Sequence, residues 1–399
     1  MTIDSVPLVA VAAVLAPLIT ELPGARLVPV VVVELALGIL AGPVLHLTRP
    51  TELITELAGL GMAFLFFMGG MEIDIRRISG RPLALGAGGW LLSLAIAITV
   101  AAGLRIAGLD VPVEFIAAAL ATTALGTLMP IMRDAGLLPT RLGRHAVAAG
   151  MCGELFPIIV ISVVLTATAE RALTAVLLVV FALVIIVCSV GALHLRPAFA
   201  RDLVTRTMHA TSQLPVRACI LLLVMLVYLA TDFGLDLVLG AFAAGMVVRL
   251  ALGTGEPTHE LEHKLDAIGF GFLIPVFFIT TGLTFDLDGL LGDAEALALI
   301  PIFLAAFLVV RGLPTVLYRG ELPGRDRLAL AFYSSTTLPL VVAITTIAVS
   351  HDHMKTETSA ALVAAAMLSV VLFPLAALLL RRRTPSVAVA VEPAIPLGA

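Results

Sequence analysis

A single carboxylate, Glu154, interrupts the apolar run 144–168, RHAVAAGMCGELFPIIVISVVLTAT. At ~1.5 Å per residue the run crosses a bilayer of ~30 Å hydrocarbon thickness, which puts Glu154 near mid-membrane. An ionisable side chain there costs roughly 2.5–3.5 kcal/mol. A carboxylate so placed can bind a proton or a cation, and the two compete for it. The structural alternative is a carboxylate hydrogen-bonded to a neighbouring helix. Gly153 before it and Pro157 after it keep the local backbone small and irregular.

Two other apolar runs carry polar interruptions. Thr122, Thr123, Thr127 and Pro130 fall in one, and Ser334, Ser335, Thr336, Thr337 and Pro339 in the other. Proline frees a backbone carbonyl, and carbonyls with hydroxyls are hard oxygen ligands suited to Na⁺ or K⁺. Thr122, Thr123, Ser335 and Thr336 are therefore candidate partners of Glu154, with Pro130, Pro157 and Pro339 as helix breaks. The alternative is that each hydroxyl satisfies its own helix and each proline only kinks it.

Arg311, in IPIFLAAFLVVRGLPTVLYR, is either a charge facing the bundle interior or a side chain snorkelling to the interface near Arg319. It does not deprotonate, so it cannot carry a transported proton. Glu34, in VVVVELALGILAGP, either pairs with Arg311, lines an inner funnel or ends its helix. Glu72, Asp74 and Asp286 read as interfacial, and His145 as a solvated residue or a pH sensor at a helix start. His259-Glu260-Leu261-Glu262-His263 matches the zinc-protease pattern H-E-x-x-H. Asp288, the available third ligand, falls on the opposite side of the membrane, and one zinc cannot bridge ~30 Å.

The elements that must position these groups follow from composition. The chain has 399 residues, 60% hydrophobic and 13% charged, with mean hydropathy +1.12, which excludes a soluble or nucleic-acid-binding domain. Continuous rather than alternating apolar runs point to a helical membrane protein. Thirteen spans are expected: 7–22, 29–45, 54–74, 82–104, 113–132, 144–168, 172–194, 214–231, 236–250, 265–285, 294–318, 327–349 and 358–380. With the N-terminus outside, the inner connections hold nineteen of the 24 Lys and Arg and the outer ones four, Arg311 being the remainder. That orientation puts the C-terminus in the cytoplasm. Cys152, Cys188 and Cys219 read as small buried hydrophobes, without disulfide or metal. No signal peptide is expected, and residues 384–399 read as a short disordered tail following a membrane domain over 1–383.

Internal repetition is visible. LALGILAGPVL at 35–45 resembles LVLGAFAAGMVV at 237–248, FFMGGMEID at 66–74 resembles FFITTGLTFD at 277–286, and ATTALGTLMPI at 121–131 resembles SSTTLPLVVAI at 334–344. Each pair lies seven spans apart. Because seven is odd, the copies, about 29–168 and 236–380, cross the membrane in opposite directions. Inverted repeats with discontinuous helices are the architecture of many secondary transporters.

The GILAGPV, FLFFMGGMEIDIRRI, ATTALGTLMPIMRDAGLL, LGRHAVAAG, GELFPIIVISVV and FGFLIPVFFITTGLTFDL stretches together resemble the monovalent cation:proton antiporter-2 family, in the sodium/hydrogen exchanger superfamily. The resemblance runs from about residue 8 to 380. It implies an all-α membrane fold with two crossed broken helices, separate dimerisation and core subdomains, a homodimer in the cell membrane, and elevator-type exchange of H⁺ for Na⁺ or K⁺ without a cofactor. Where relatives carry a polar residue followed by Asp, this chain has Gly153-Glu154, and where they often carry Lys it has Arg311. The expectation that follows is electroneutral one-for-one exchange through Glu154, with Arg311 as a fixed structural charge. The rival readings are a non-transporting sensor or scaffold of the same fold and, through His259 and His263, an intramembrane metalloprotease.

Overall fold

The computed structural model describes residues 4–22, 28–72, 80–166, 207, 212–233, 237–252 and 256–382. The expected span 172–194 with Cys188, and the tail 384–399, lie outside the described residues.

The first half of the chain forms α1 (Ser5–Thr20), α2 (Val30–Ile39, extended by a π-helical turn Leu40–Val44 that absorbs Pro43), α3 (Glu52–Glu72), α4 (Arg81–Ile106), α5 (Val113–Leu120), α6 (Leu125–Asp134) and α7 (Arg141–Thr166). The second half forms α8 (Leu214–Asp232), α9 (Leu237–Leu252), α10 (Glu256–Ile268), a π-helical turn Gly269–Leu273, α11 (Ile274–Leu283), α12 (Leu287–Gly292) and α13 (Ala294–Gly312). After α13 come a 3₁₀ segment Leu313–Gly320, α14 (Gly324–Ser334), α15 (Pro339–Ser350) and α16 (Thr356–Arg382). Among the described residues, eight stretches are long and apolar enough to span a bilayer, and four shorter apolar helices accompany them. Together they account for the twelve expected spans that fall on described residues.

The inverted repeat is expressed in the packing. α2 and α9 are repeat mates, as are α3 and α11, and each packs against the other's partner: α2 on α11, and α3 on α9. Glycines set both approaches. A methyl group on Gly38 would collide with the Ile279 carbonyl, and one on Gly282 with the Leu35 carbonyl. A methyl group on Gly70 would meet the Phe242 carbonyl, and one on Gly245 the Phe67 carbonyl. Lipid supplies no hydrophobic drive between helices, so close backbone approach through small residues is what holds such pairs together.

Two helices are broken. Between α5 and α6 the backbone of Thr122–Ala124 is not helical, and between α14 and α15 the break covers Ser335–Leu338. Pro339 opens α15 at its first position, where a missing N–H costs nothing. Pro130 lies within α6, beyond the break, and Pro157 within the continuous helix α7. The expectation of irregular backbone around Glu154 is thus corrected. An inward-packed helix tolerates a proline when neighbours supply the lost bond, and α7 runs through Pro157 without interruption.

Candidate ion site

The two breaks meet. The Ala124 N–H donates to the Thr336 carbonyl at 2.9 Å, and the Thr123 N–H donates to the Gly153 carbonyl at 3.0 Å. Backbone groups freed by one break are therefore satisfied by the other break and by the residue preceding Glu154, as mid-membrane backbone must be. The hydroxyls complete the crossing. Thr122 Oγ1 donates to the Ala119 carbonyl at 2.7 Å, so Thr337 Oγ1, 2.5 Å away, donates to it. Thr123 Oγ1 donates to the Ser334 carbonyl at 2.5 Å. Ser335 and Thr336 bond back to the carbonyls of Ala331 and Phe332 at 2.7 and 3.0 Å. All four candidate hydroxyl residues are 0% exposed. Thr122 and Thr123 tie one break to the other, whereas Ser335 and Thr336 satisfy carbonyls of their own helix.

Arg311 is the centre of that assembly. It is 4% exposed and reaches inward rather than toward the interface. Nε donates to Thr123 Oγ1 at 3.0 Å and to the Ser334 carbonyl at 3.3 Å. The terminal nitrogens donate to Ser93 Oγ on α4 at 3.2 Å and to the Ala149 carbonyl on α7 at 3.0 Å. One planar guanidinium thereby ties both breaks to α4 and α7. The pairing of Arg311 with Glu34 is corrected. Glu34 is 3% exposed on α2, a helix packed on α1 and α11, whereas Arg311 spends its donors on neutral oxygens elsewhere.

Gly153 explains itself in this geometry. A Cβ there would sit 2.6 Å from Thr123 Oγ1 and 2.8 Å from an Arg311 terminal nitrogen. The guanidinium and the threonine fill the space a larger residue would need. Glu154, one position on, is partly exposed and lines a cavity of about 2080 Å³. Its carboxyl faces Gly69 of α3, where a methyl group would stand 3.9 Å from Oε1. Ala124, Thr127 and Met151 line the same cavity, which also reaches Arg133, Arg144 and Arg249 at the arginine-rich end. On the other side of Glu154 the walls close. Phe66 and Val238 meet Ile158, Ile161, Leu340 and Ile344 around a remnant of only 10 Å³, all six between 3% and 5% exposed.

Sequence reasoning did not single out Ser93, Ser369, Thr337 or Gly69 as site residues. Ser369 Oγ donates to the Thr337 carbonyl at 2.9 Å and accepts from the Thr337 N–H at 3.2 Å, bracing the second break from α16. The signal was present in part: Ser93 and Ser369 are hydroxyls placed well inside apolar runs. His259, Glu262 and His263 of the H-E-x-x-H stretch line the cavity. Glu260 pairs with Lys264 at 3.2 Å and Glu262 with Arg249, and among the described residues no three potential ligands are grouped around a metal position.

Comparison with known proteins gives a consistent picture. Residues 10–378 match the model of the transmembrane sodium/hydrogen exchanger family. YjbQ of Bacillus subtilis, named for Na⁺/H⁺ antiport, is 28% identical over 365 residues, 87% of this chain and 58% of that one. The Na⁺/H⁺-K⁺ antiporter GerN of Bacillus cereus is 28% identical over 276 residues, 66% of this chain and 67% of that one. This chain thus spans just over half the length of the first of these relatives. The solved structure of the sodium proton antiporter MjNhaP1 from Methanocaldococcus jannaschii superposes with a TM-score of 0.61 at 15% identity, covering 95% of this chain and 98% of that one. That likeness establishes the fold.

Proposed function

The chain belongs to the sodium/hydrogen exchanger family, and from that premise we propose that it exchanges H⁺ for Na⁺ or K⁺ by alternating access, with Glu154 as the carrier. The observation that carries this is the position of Glu154. It is a carboxylate that lines a large cavity reaching the arginine-rich end, follows the Gly153 carbonyl that the first break binds, and is succeeded one turn on by the apolar wall at Ile158. A carboxylate reachable from one side at a time, binding either a proton or a cation, is the minimum an exchanger requires. The arginine-rich cavity mouth is assigned to the cytoplasm by the positive-inside rule, so the arrangement described is inward-open.

The division of labour follows the packing. α1–α3 and α8–α11 form one network, α4–α7 and α13–α16 another, and the cavity runs between them. We assign the first to a dimerising scaffold and the second to a core that carries Glu154 past the Phe66–Val238 wall. Exchange is electroneutral on this reading, because Arg311 keeps its charge throughout and Glu154 is the one carrier that alternates between proton and cation. The hydroxyls of Thr122, Thr123, Ser335 and Thr336 position the carboxylate, and Thr127 offers an oxygen on the cavity wall.

The test is a pH-dye dequenching assay in everted vesicles, adding Na⁺ and then K⁺. Wild type should respond to at least one ion, and Glu154→Gln to neither while expressing and purifying normally. Exchange at wild-type rate in Glu154→Gln would defeat the assignment. A cation-driven current in proteoliposomes would defeat electroneutrality.

A further inference from the structure

We propose that His145 is a second proton-binding site, distinct from Glu154, that sets the acid limit of exchange from the arginine-rich end. His145 lies nine residues before Glu154 on α7, ~13 Å along the helix. Although it stands close to the start of α7, it is 4% exposed rather than solvated. Its ring packs edge-on against Tyr318, centroids 5.3 Å apart at 84°. Nε2 stands 3.9 Å from Glu321 Oε2, outside hydrogen-bond distance, while Arg81 at the start of α4 holds the other oxygen of Glu321. Nδ1 is buried with no hydrogen-bond partner.

The ring therefore sits at a three-way junction of α7, the start of α4, and the 3₁₀ segment that continues the Arg311 helix. The charges acting on it are Glu321, which caps that segment, Arg81 from α4, and Arg141 and Arg144 from its own helix. A neutral ring fits this packing. A ring carrying two N–H groups does not, because Nδ1–H would be buried without an acceptor and Nε2–H would have to draw Glu321 away from Arg81. Taking up the proton requires the junction to part. Histidine is the side chain that makes such a change in the physiological pH range. The junction joins the helix bearing Glu154 to the helix bearing Arg311, so parting it loosens the body that must move as a unit. Acid on this side then slows exchange without touching Glu154.

This rests on the exchange reading for its transport readout but not for its second one. In everted vesicles, exchange is followed against the pH of the arginine-rich side for wild type, His145→Gln, Glu321→Gln and the double variant. His145→Gln cannot take the proton, and Glu321→Gln removes the acidic group that, among the described residues, draws it to the ring. Both should move the acid limb at least about half a pH unit lower, and the double variant no further. Unshifted profiles in both single variants, or shifts that add in the double variant, would overturn the proposal. The second readout is the melting temperature of purified protein. Between about pH 8 and about pH 6, wild type should lose more than His145→Gln, and equal losses would overturn the proposal as well. If wild type moves no ion, the exchange reading has failed, and the melting comparison still decides the role of His145.

Discussion

Gly153 and Arg311 are best understood together. Alanine is favoured over glycine inside a helix by about 1 kcal/mol, so propensity alone expects Gly153→Ala to stabilise α7. The structure reverses the sign, because the new methyl group would meet Thr123 and Arg311 on a side with no slack. Overpacking of this kind costs roughly 1–3 kcal/mol, and Gly153→Ala should lower the melting temperature and the yield of monodisperse protein. Arg311→Ala should be worse. It strips the donors that satisfy Ser93, the Ala149 carbonyl and both breaks, and the loss of a buried charge-assisted network costs several kcal/mol. The check is the elution profile on size exclusion, with Arg311→Lys retaining part of the network and an intermediate stability. At Glu154 the conservative change to Asp should keep partial exchange with a displaced pH profile, because the carboxylate is retained but withdrawn by one methylene.

At the scale of elements, the glycine contacts between repeat mates and the apolar wall make separate predictions. Gly245→Leu drives a side chain into the Phe67 carbonyl of α3, a backbone atom that cannot swing aside. It should unfold the scaffold rather than merely weaken it, seen as loss of the folded fraction in detergent. Ile344→Asn places an amide in the dry wall that closes the far side of Glu154. Desolvating that amide costs about 1–3 kcal/mol, so the variant should favour the alternative, outward-open arrangement. Cysteines placed at Phe66 or Ile158 in that background should become reactive to a polar thiol reagent from the outer face. Outside the membrane, Asp110 and Lys355 pair at 2.8 Å, joining the α4–α5 and α15–α16 connections. The pairing holds the Asp110 carboxyl below its usual range and raises the Lys355 ammonium. Whatever stability it contributes is present above the ordinary carboxylate range and fades as pH falls through the lowered one. Both groups are fully exposed, so Asp110→Asn should leave the melting temperature at neutral pH nearly unchanged.

At the scale of the whole molecule, the cavity and the wall define a sidedness that no single helix possesses. The cavity that Glu154 lines reaches the arginine-rich end, and on the other side apolar side chains leave only a small remnant. On the proposed division, alternating access requires only that the α4–α7 and α13–α16 network shift against the other, opening the wall as the cavity closes. The crossing supports such a shift because its hydrogen bonds lie within one network. Arg311, both breaks, Ser93 and Ala149 all belong to it, so the site can travel without being dismantled.

How much of this was legible in the sequence depends on the range of the interaction. Hydropathy and segment length fixed the membrane class and the spans, because the bilayer imposes one length and one polarity on every helix that crosses it. The seven-span offset between repeats determined their opposite orientation. Glu154 stood out because a carboxylate in an apolar run is expensive wherever its helix ends up. Only the tertiary structure decided that Thr122 and Thr123 serve the crossing while Ser335 and Thr336 bond back to their own helix, that Arg311 turns to neutral oxygens rather than to Glu34, and that His145 is buried instead of solvated. Each of those outcomes depends on which distant segment arrives beside the residue. A guanidinium selects among acceptors within a few ångströms, and residues 93, 123, 149, 311 and 334 share that neighbourhood only once the two broken helices have crossed.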